Sequence, residues 1–144
     1  QMKILFLCTG INSCRSLMAE AFLQQTDQSL EIFSEGLNPH VENDSMAIKV
    51  MDEIGIDISN KKPKSYHEFE GVYVDYLITL CDGTTDKITS VNIKANHKIH
   101  LGFDDPKKAN CADEQIVEIY RDVRDEIRNE MDYFYNRILL TINH

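Results

Sequence analysis

The first apolar run, Met2-Lys3-Ile4-Leu5-Phe6-Leu7, is short and nearly continuous, and it reads as a buried strand over residues 2–7. Beyond a polar stretch, apolar positions return at helical spacing at Leu17, Met18, Ala21 and Phe22, which predicts a helix over 16–25. Residues 30–34 read as a second strand, ended by Gly36-Leu37-Asn38-Pro39. A helix capped by Asp44 or Ser45 then runs to about residue 53, with Ala47, Ile48, Val50, Met51 and Ile54 on its inner face, and Gly55 stops it. A short helical piece is expected near 65–70, a third strand over 73–80 ending at Cys81, and a fourth over 98–101. The long segment from 113 to about 140 is a helix, because Ile116, Ile119, Tyr120, Val123, Ile127, Met131, Phe134 and Ile138 recur every three or four positions.

Strands that alternate with helices predict an α/β fold with a parallel sheet covered on both faces. Such sheets bind ligands at the carboxyl ends of their strands. Cys8 after the first strand, Cys81 after the third and Asp105 after the fourth therefore share one edge. The stretch from Cys8 to Ser16 is a strand-to-helix turn, in which successive amides and a helix N-terminus point into one concavity suited to an anion. The same field lowers the pKa of a thiol, which makes Cys8 the candidate nucleophile. Arg15 adds a planar fork able to hold two oxygens of a tetrahedral anion. A thiolate, an anion cradle and a bidentate clamp describe attack on phosphate or arsenate. Ser16 opens the helix, where its hydroxyl either caps the backbone or donates to the thiolate.

Composition narrows the picture. A chain of 144 residues suits one domain over 1–144, with room to bury a core without disulfides or metal. A formal charge of −9 opposes contact with nucleic acid or an anionic membrane, so binding of an anionic substrate must come from the local cradle. The basic group Lys61, Lys62 and Lys64 reads as a solvated turn. Four cysteines without paired spacing fit reduced thiols. With neither a membrane-length apolar run nor a signal-peptide pattern, a cytoplasmic location is expected. The five histidines lack ligand spacing and no Gly-Lys-Ser/Thr phosphate loop occurs, so neither a metal nor nucleotide hydrolysis is expected.

The segment Cys8-Thr9-Gly10-Ile11-Asn12-Ser13-Cys14-Arg15-Ser16, with Met18-Ala19-Glu20, resembles the low-molecular-weight protein tyrosine phosphatase family in its thioredoxin-coupled arsenate reductase branch. The resemblance extends through Ser34-Glu35-Gly36, Gly55-Ile56-Asp57-Ile58-Ser59, Leu80-Cys81-Asp82, Gly102-Phe103-Asp104-Asp105-Pro106 and Val123-Arg124-Asp125-Glu126-Ile127. Two positions depart from the pattern. Ile11 is an extra residue that makes the spacing a Cys, six residues, then Arg, with Gly10 the natural place for the bulge. Ile88 stands where that branch carries a third redox cysteine.

The resemblance implies a four-stranded parallel sheet in the order 2-1-3-4 with helices on both faces. It implies that Gly10, Ile11, Asn12, Ser13, Cys14 and Arg15 bind the oxyanion, that Asp105 is the general acid and that Cys81 is the resolving thiol. Cys14 is expected to pack structurally, and Cys111 is a possible redox residue in place of the third thiol. Asn12, Glu20 and Ser34 match positions that support the loop and in some relatives help bind potassium, but Lys64 falls where those relatives carry an aspartate, so no metal is expected. The implied activity is reduction of arsenate to arsenite by a monomer without a tightly bound cofactor, recharged by an external thiol reductant, either thioredoxin or a small thiol. The alternatives are a phosphatase acting on phosphotyrosine or small phosphate esters, and a non-catalytic oxyanion-binding protein if Ile11 disables the loop.

Overall fold

The apolar run near the start of the chain becomes the inner strand β1 (Lys3–Cys8), paired in parallel with β2 (Glu31–Gly36) on one side and β3 (Tyr73–Thr79) on the other. Strand β4 (Lys94–His100) pairs in parallel with β3 and completes the order 2-1-3-4. The computed structural model describes residues 2–8, 15–36, 45–60, 71–80, 93–103 and 113–140. The short helix expected near 65–70 lies outside them. Helix α1 (Arg15–Thr26) joins β1 to β2, α2 (Ser45–Asp52) follows β2, and α3 (Asp113–Phe134) follows β4 and continues as a π-helical segment, Tyr135–Leu139.

Alternation sends the residues of β1 to opposite faces of the sheet. Ile4 and Phe6 join Tyr76 and Ile78 of β3 in a cluster with Leu17 and Met18 of α1, Val50 and Met51 of α2, and Ile127 and Met131 of α3. Leu5 and Leu7 join Val74, Leu77 and Ile93 in a second cluster on the other face, also buried. Both faces of the inner strands are thus removed from water, and each fully buried Leu, Ile or Phe contributes roughly 1.5–3 kcal/mol. The three described helices all pack with the first cluster.

The fourth strand corrects the expected boundaries, because it occupies Lys94–His100 and not 98–101. Lys94, Asn96, His97, Lys98 and His100 are exposed, as befits a strand at the sheet's edge. Its own pattern carries little apolar alternation, and the ladder with β3 makes it a strand.

Gly55 ends α2 as the sequence suggests. It takes φ +82°, the Gly55 amide donates to Asp52 O at 3.0 Å and the Ile56 amide to Met51 O at 3.0 Å, which is a Schellman closure. Met51 and Ile56 both pack in the main cluster and seal the turn. From α3, the Arg124 guanidinium donates to Val50 O at 2.8 Å, to Glu53 at 3.1 Å and to Asp125 at 2.9 Å, while Arg121 pairs with Glu53 at 2.6 Å.

Candidate active site

The carboxyl ends of β1, β3 and β4 lie side by side, and the residues that open the next loops are bonded to one another. The Leu80 amide donates to Leu7 O at 3.2 Å, so the residues immediately before Cys81 and Cys8 are hydrogen-bonded partners. The Phe103 amide donates to Leu80 O at 3.2 Å, and Phe103 lies two residues before Asp105. The sheet edge predicted from strand order is therefore present in the backbone. Cys8 is the last residue of β1. Its side chain, residues 9–14 with Gly10, Ile11, Asn12, Ser13 and Cys14, and Cys81, Asp105 and Cys111 lie outside the described residues.

Helix α1 starts at Arg15, whose Nη1 donates to Phe103 O at 2.9 Å across 88 positions of sequence. The guanidinium that should clamp an oxyanion thus also touches the loop that leads to Asp105. Ser16 follows inside the first turn, fully buried. Among the described residues its hydroxyl has no hydrogen-bond partner, so it does not cap the backbone of α1. A buried hydroxyl left unsatisfied costs about 1–3 kcal/mol, so such groups tend to mark a task other than stability. The Ser16 backbone is held in place by Ser34 on β2, whose hydroxyl donates to Ser16 O at 2.8 Å. Ser34, matched above to a potassium-binding position, here fastens the first turn of α1, and no step of the chemistry below passes through a cation.

Further along the same edge, Thr79 Oγ1 and His100 Nδ1 lie 2.7 Å apart, linking the last residues of β3 and β4. Sequence reading had no signal for this pair, nor for the carbonyl of Phe103 as an anchor for Arg15, because a backbone acceptor leaves no mark in residue type. A cleft of about 420 Å³ is lined by His100, Leu101, Gly102, Phe103, Glu126, Asn129 and Glu130. Its two carboxylates, Glu126 and Glu130, disfavour an anion there.

A parallel 2-1-3-4 sheet whose first strand ends in cysteine, followed by a helix opening on Arg-Ser with a buried hydroxyl, defines a phosphatase-like class. The chain belongs to the family described as low molecular weight phosphotyrosine protein phosphatase, whose model matches residues 3–140. Among its relatives, an arsenate reductase of Shouchella clausii is 41% identical over 127 residues, covering 86% of this chain and 88% of that protein. An arsenate reductase of Bacillus subtilis is 39% identical over 134 residues, covering 91% of this chain and 93% of that protein. Among solved structures, an arsenate reductase in the phosphate binding state superposes with a TM-score of 0.75 at 27% identity, covering 96% of this chain and 99% of that one.

Proposed function

We propose that this enzyme is an arsenate reductase that uses Cys8 and Cys81 as its thiol pair. The observation that carries this reading is the hydrogen bond from the Leu80 amide to Leu7 O, which sends the chain into both cysteines from neighbouring strand ends. A phosphatase has no need of a second thiol there. The curated relatives named above add weight to the reductase reading.

The chemistry follows from the residues. Arsenate sits against the amides of residues 10–15 with Arg15 spanning two of its oxygens. The Cys8 thiolate, stabilised by the helix terminus and by a hydrogen bond from Ser16, attacks arsenic. One arsenate oxygen leaves as water, protonated by Asp105, and a sulfur–arsenic(V) bond forms. The Cys81 thiolate then attacks the Cys8 sulfur. The new sulfur–sulfur bond forms as the sulfur–arsenic bond breaks, and its electron pair stays on arsenic, giving arsenite. Two thiols have supplied two electrons. The disulfide is reduced by an external thiol of thioredoxin type or by a small thiol; Cys111 is the candidate relay, since Ile88 offers no third thiol.

Among the described residues no helix is long and apolar enough to cross a membrane. We place the protein in the cytoplasm, where thiols stay reduced. The test measures arsenite release and phosphate-ester hydrolysis side by side, with several thiol donors. Cys81→Ser is expected to abolish arsenite release and spare ester hydrolysis. Equal loss of both would make Cys81 structural, and ester hydrolysis without arsenite release in the unaltered protein would establish the phosphatase reading.

A further inference from the structure

Three loops leave the carboxyl edge through three peptide units, and those units are strung together crosswise. Leu7 O, in the peptide that leads into Cys8, accepts from the Leu80 amide at 3.2 Å. Leu80 O, in the peptide that leads into Cys81, accepts from the Phe103 amide at 3.2 Å. Phe103 O, in the peptide that leads into Asp104 and Asp105, accepts from Arg15 Nη1 at 2.9 Å. A peptide unit is planar, so a bond to its carbonyl also fixes the direction in which the next residue departs. Leu7 and Leu80 are fully buried, where water competes little for these bonds.

Like Leu80, Phe103 uses both its amide and its carbonyl in this chain of bonds, and it joins the peptide before Cys81, through its amide, to Arg15, through its carbonyl. Its side chain packs against the main apolar cluster, which gives the joint a fixed base. A guanidinium carries five N–H donors in one plane. A bond on Nη1 therefore sets the orientation of that plane and is compatible with a second acceptor on the fork.

We propose that Phe103 is a positioning residue for the thiol chemistry, its backbone coupling the orientation of the Arg15 clamp to the placement of the peptide that carries Cys81. The proposal rests on the reductase reading for its consequence, since only reduction uses Cys81. An oxyanion that immobilises Arg15 tightens the Phe103 carbonyl bond, and through the Phe103 amide steadies the Leu80 carbonyl, the last described atom before the second thiol. Substrate binding and readiness of the resolving thiol are thereby one event and not two.

The first arm of the test is amide hydrogen exchange read by NMR on the full chain. Arg15→Ala should speed exchange at Phe103 by about tenfold, the effect of losing one ordinary buried hydrogen bond. The Leu101 amide, bonded to Thr79 O at 2.8 Å outside this chain of bonds, should hardly change. Saturating inorganic phosphate should slow exchange at Phe103 in the unaltered protein. The second arm uses Phe103→Pro, which deletes the amide donor but keeps the carbonyl. Its affinity for inorganic phosphate should stay within about threefold of the unaltered protein, while disulfide formation in a single turnover with arsenate should slow by about tenfold. Phe103→Leu, which keeps the amide and an apolar side chain, should restore that rate. Unchanged exchange in Arg15→Ala overturns the proposal, as does a parallel loss of phosphate binding and disulfide formation in Phe103→Pro. If Phe103→Pro does not fold, the exchange arm decides. If the unaltered protein yields no arsenite, the reductase reading fails, and the exchange and phosphate arms still judge the link itself.

Discussion

The end of α2 and the start of α1 handle their polar groups in opposite ways. At the end of α2, Gly55 and Ile56 close the backbone, and Arg124 donates to Val50 O and to Glu53. Polar capacity there is consumed within the terminus and its neighbouring helix. At the start of α1, the Ser16 hydroxyl is buried without a partner among the described residues, and Arg15 reaches out to Phe103 on another loop. The tie from Ser34 fixes the backbone and leaves that hydroxyl unused. The first terminus is built to be stable. The second keeps one buried hydroxyl, that of Ser16, without a described partner, a cost that stability alone would not retain.

The largest expected effect is on the α1 side. Cys8→Ser should reduce turnover by about 10⁴-fold or more, because a hydroxyl in place of the thiol lacks its low pKa. Its thermal midpoint should match that of the unaltered protein, and normal turnover would remove Cys8 from the reaction.

Ser16→Ala sharpens the contrast, since it deletes a hydroxyl that bonds to nothing in the described structure. Urea unfolding should show unchanged or slightly higher stability, by up to about 1 kcal/mol, because an unsatisfied buried group is gone. Turnover should fall by about tenfold to a hundredfold if that hydroxyl serves the thiolate. A stability loss with unchanged turnover would break the comparison.

Arg124→Met tests the other terminus. Losing the donors to Val50 O and Glu53 should cost about 2 kcal/mol in urea unfolding, less than a fully buried pair because Glu53 is partly exposed. Turnover per folded molecule should be unaltered; a selective loss of turnover would show that the α2 end also serves the site.

The smallest effect is in acid. The Arg121 guanidinium beside Glu53, helped by Arg124, holds its carboxyl below the usual range, and hydrogen bonds from Ser29 and Tyr135 do the same for Asp27. A depressed folded pKa adds stability above the unfolded value, about 4 for a carboxylate, and that contribution is lost as pH falls through the folded value. Stability of the unaltered protein should therefore decline below about pH 4. In Glu53→Gln the decline should be shallower, and an identical acid profile would show that the pair contributes nothing.

How much was legible in the sequence depended on whether the information was local. β1 and the long C-terminal helix announced themselves through continuous apolar residues and helical spacing, and Gly55 through its residue type. The strand order came from the resemblance, and the shared edge from strand alternation. The first half of β4 did not show, because Lys94, Asn96 and His97 belong to an exposed edge where pairing with β3 replaces apolar patterning. Within the site, Cys8, Arg15 and Ser16 were marked by chemistry and spacing, and their place at the β1 end and α1 start follows. The bond from Arg15 to Phe103 O was invisible because its acceptor is a main-chain atom 88 positions away.

Every ladder in the sheet is parallel, and this governs the order in which the chain can assemble. Lys3 pairs with Glu31 and Ile4 with Tyr76, so no described strand can find a partner through a tight turn. Loop closure must precede each pairing, which places the protein among slower folders. During synthesis β1 emerges well before β3, its partner on the second side. Until residue 79 has left the ribosome, the segment Ile4-Leu5-Phe6-Leu7 has an unpaired edge and an uncovered flank. The strand that ends in Cys8 is therefore the part of the nascent chain most in need of a chaperone's shelter.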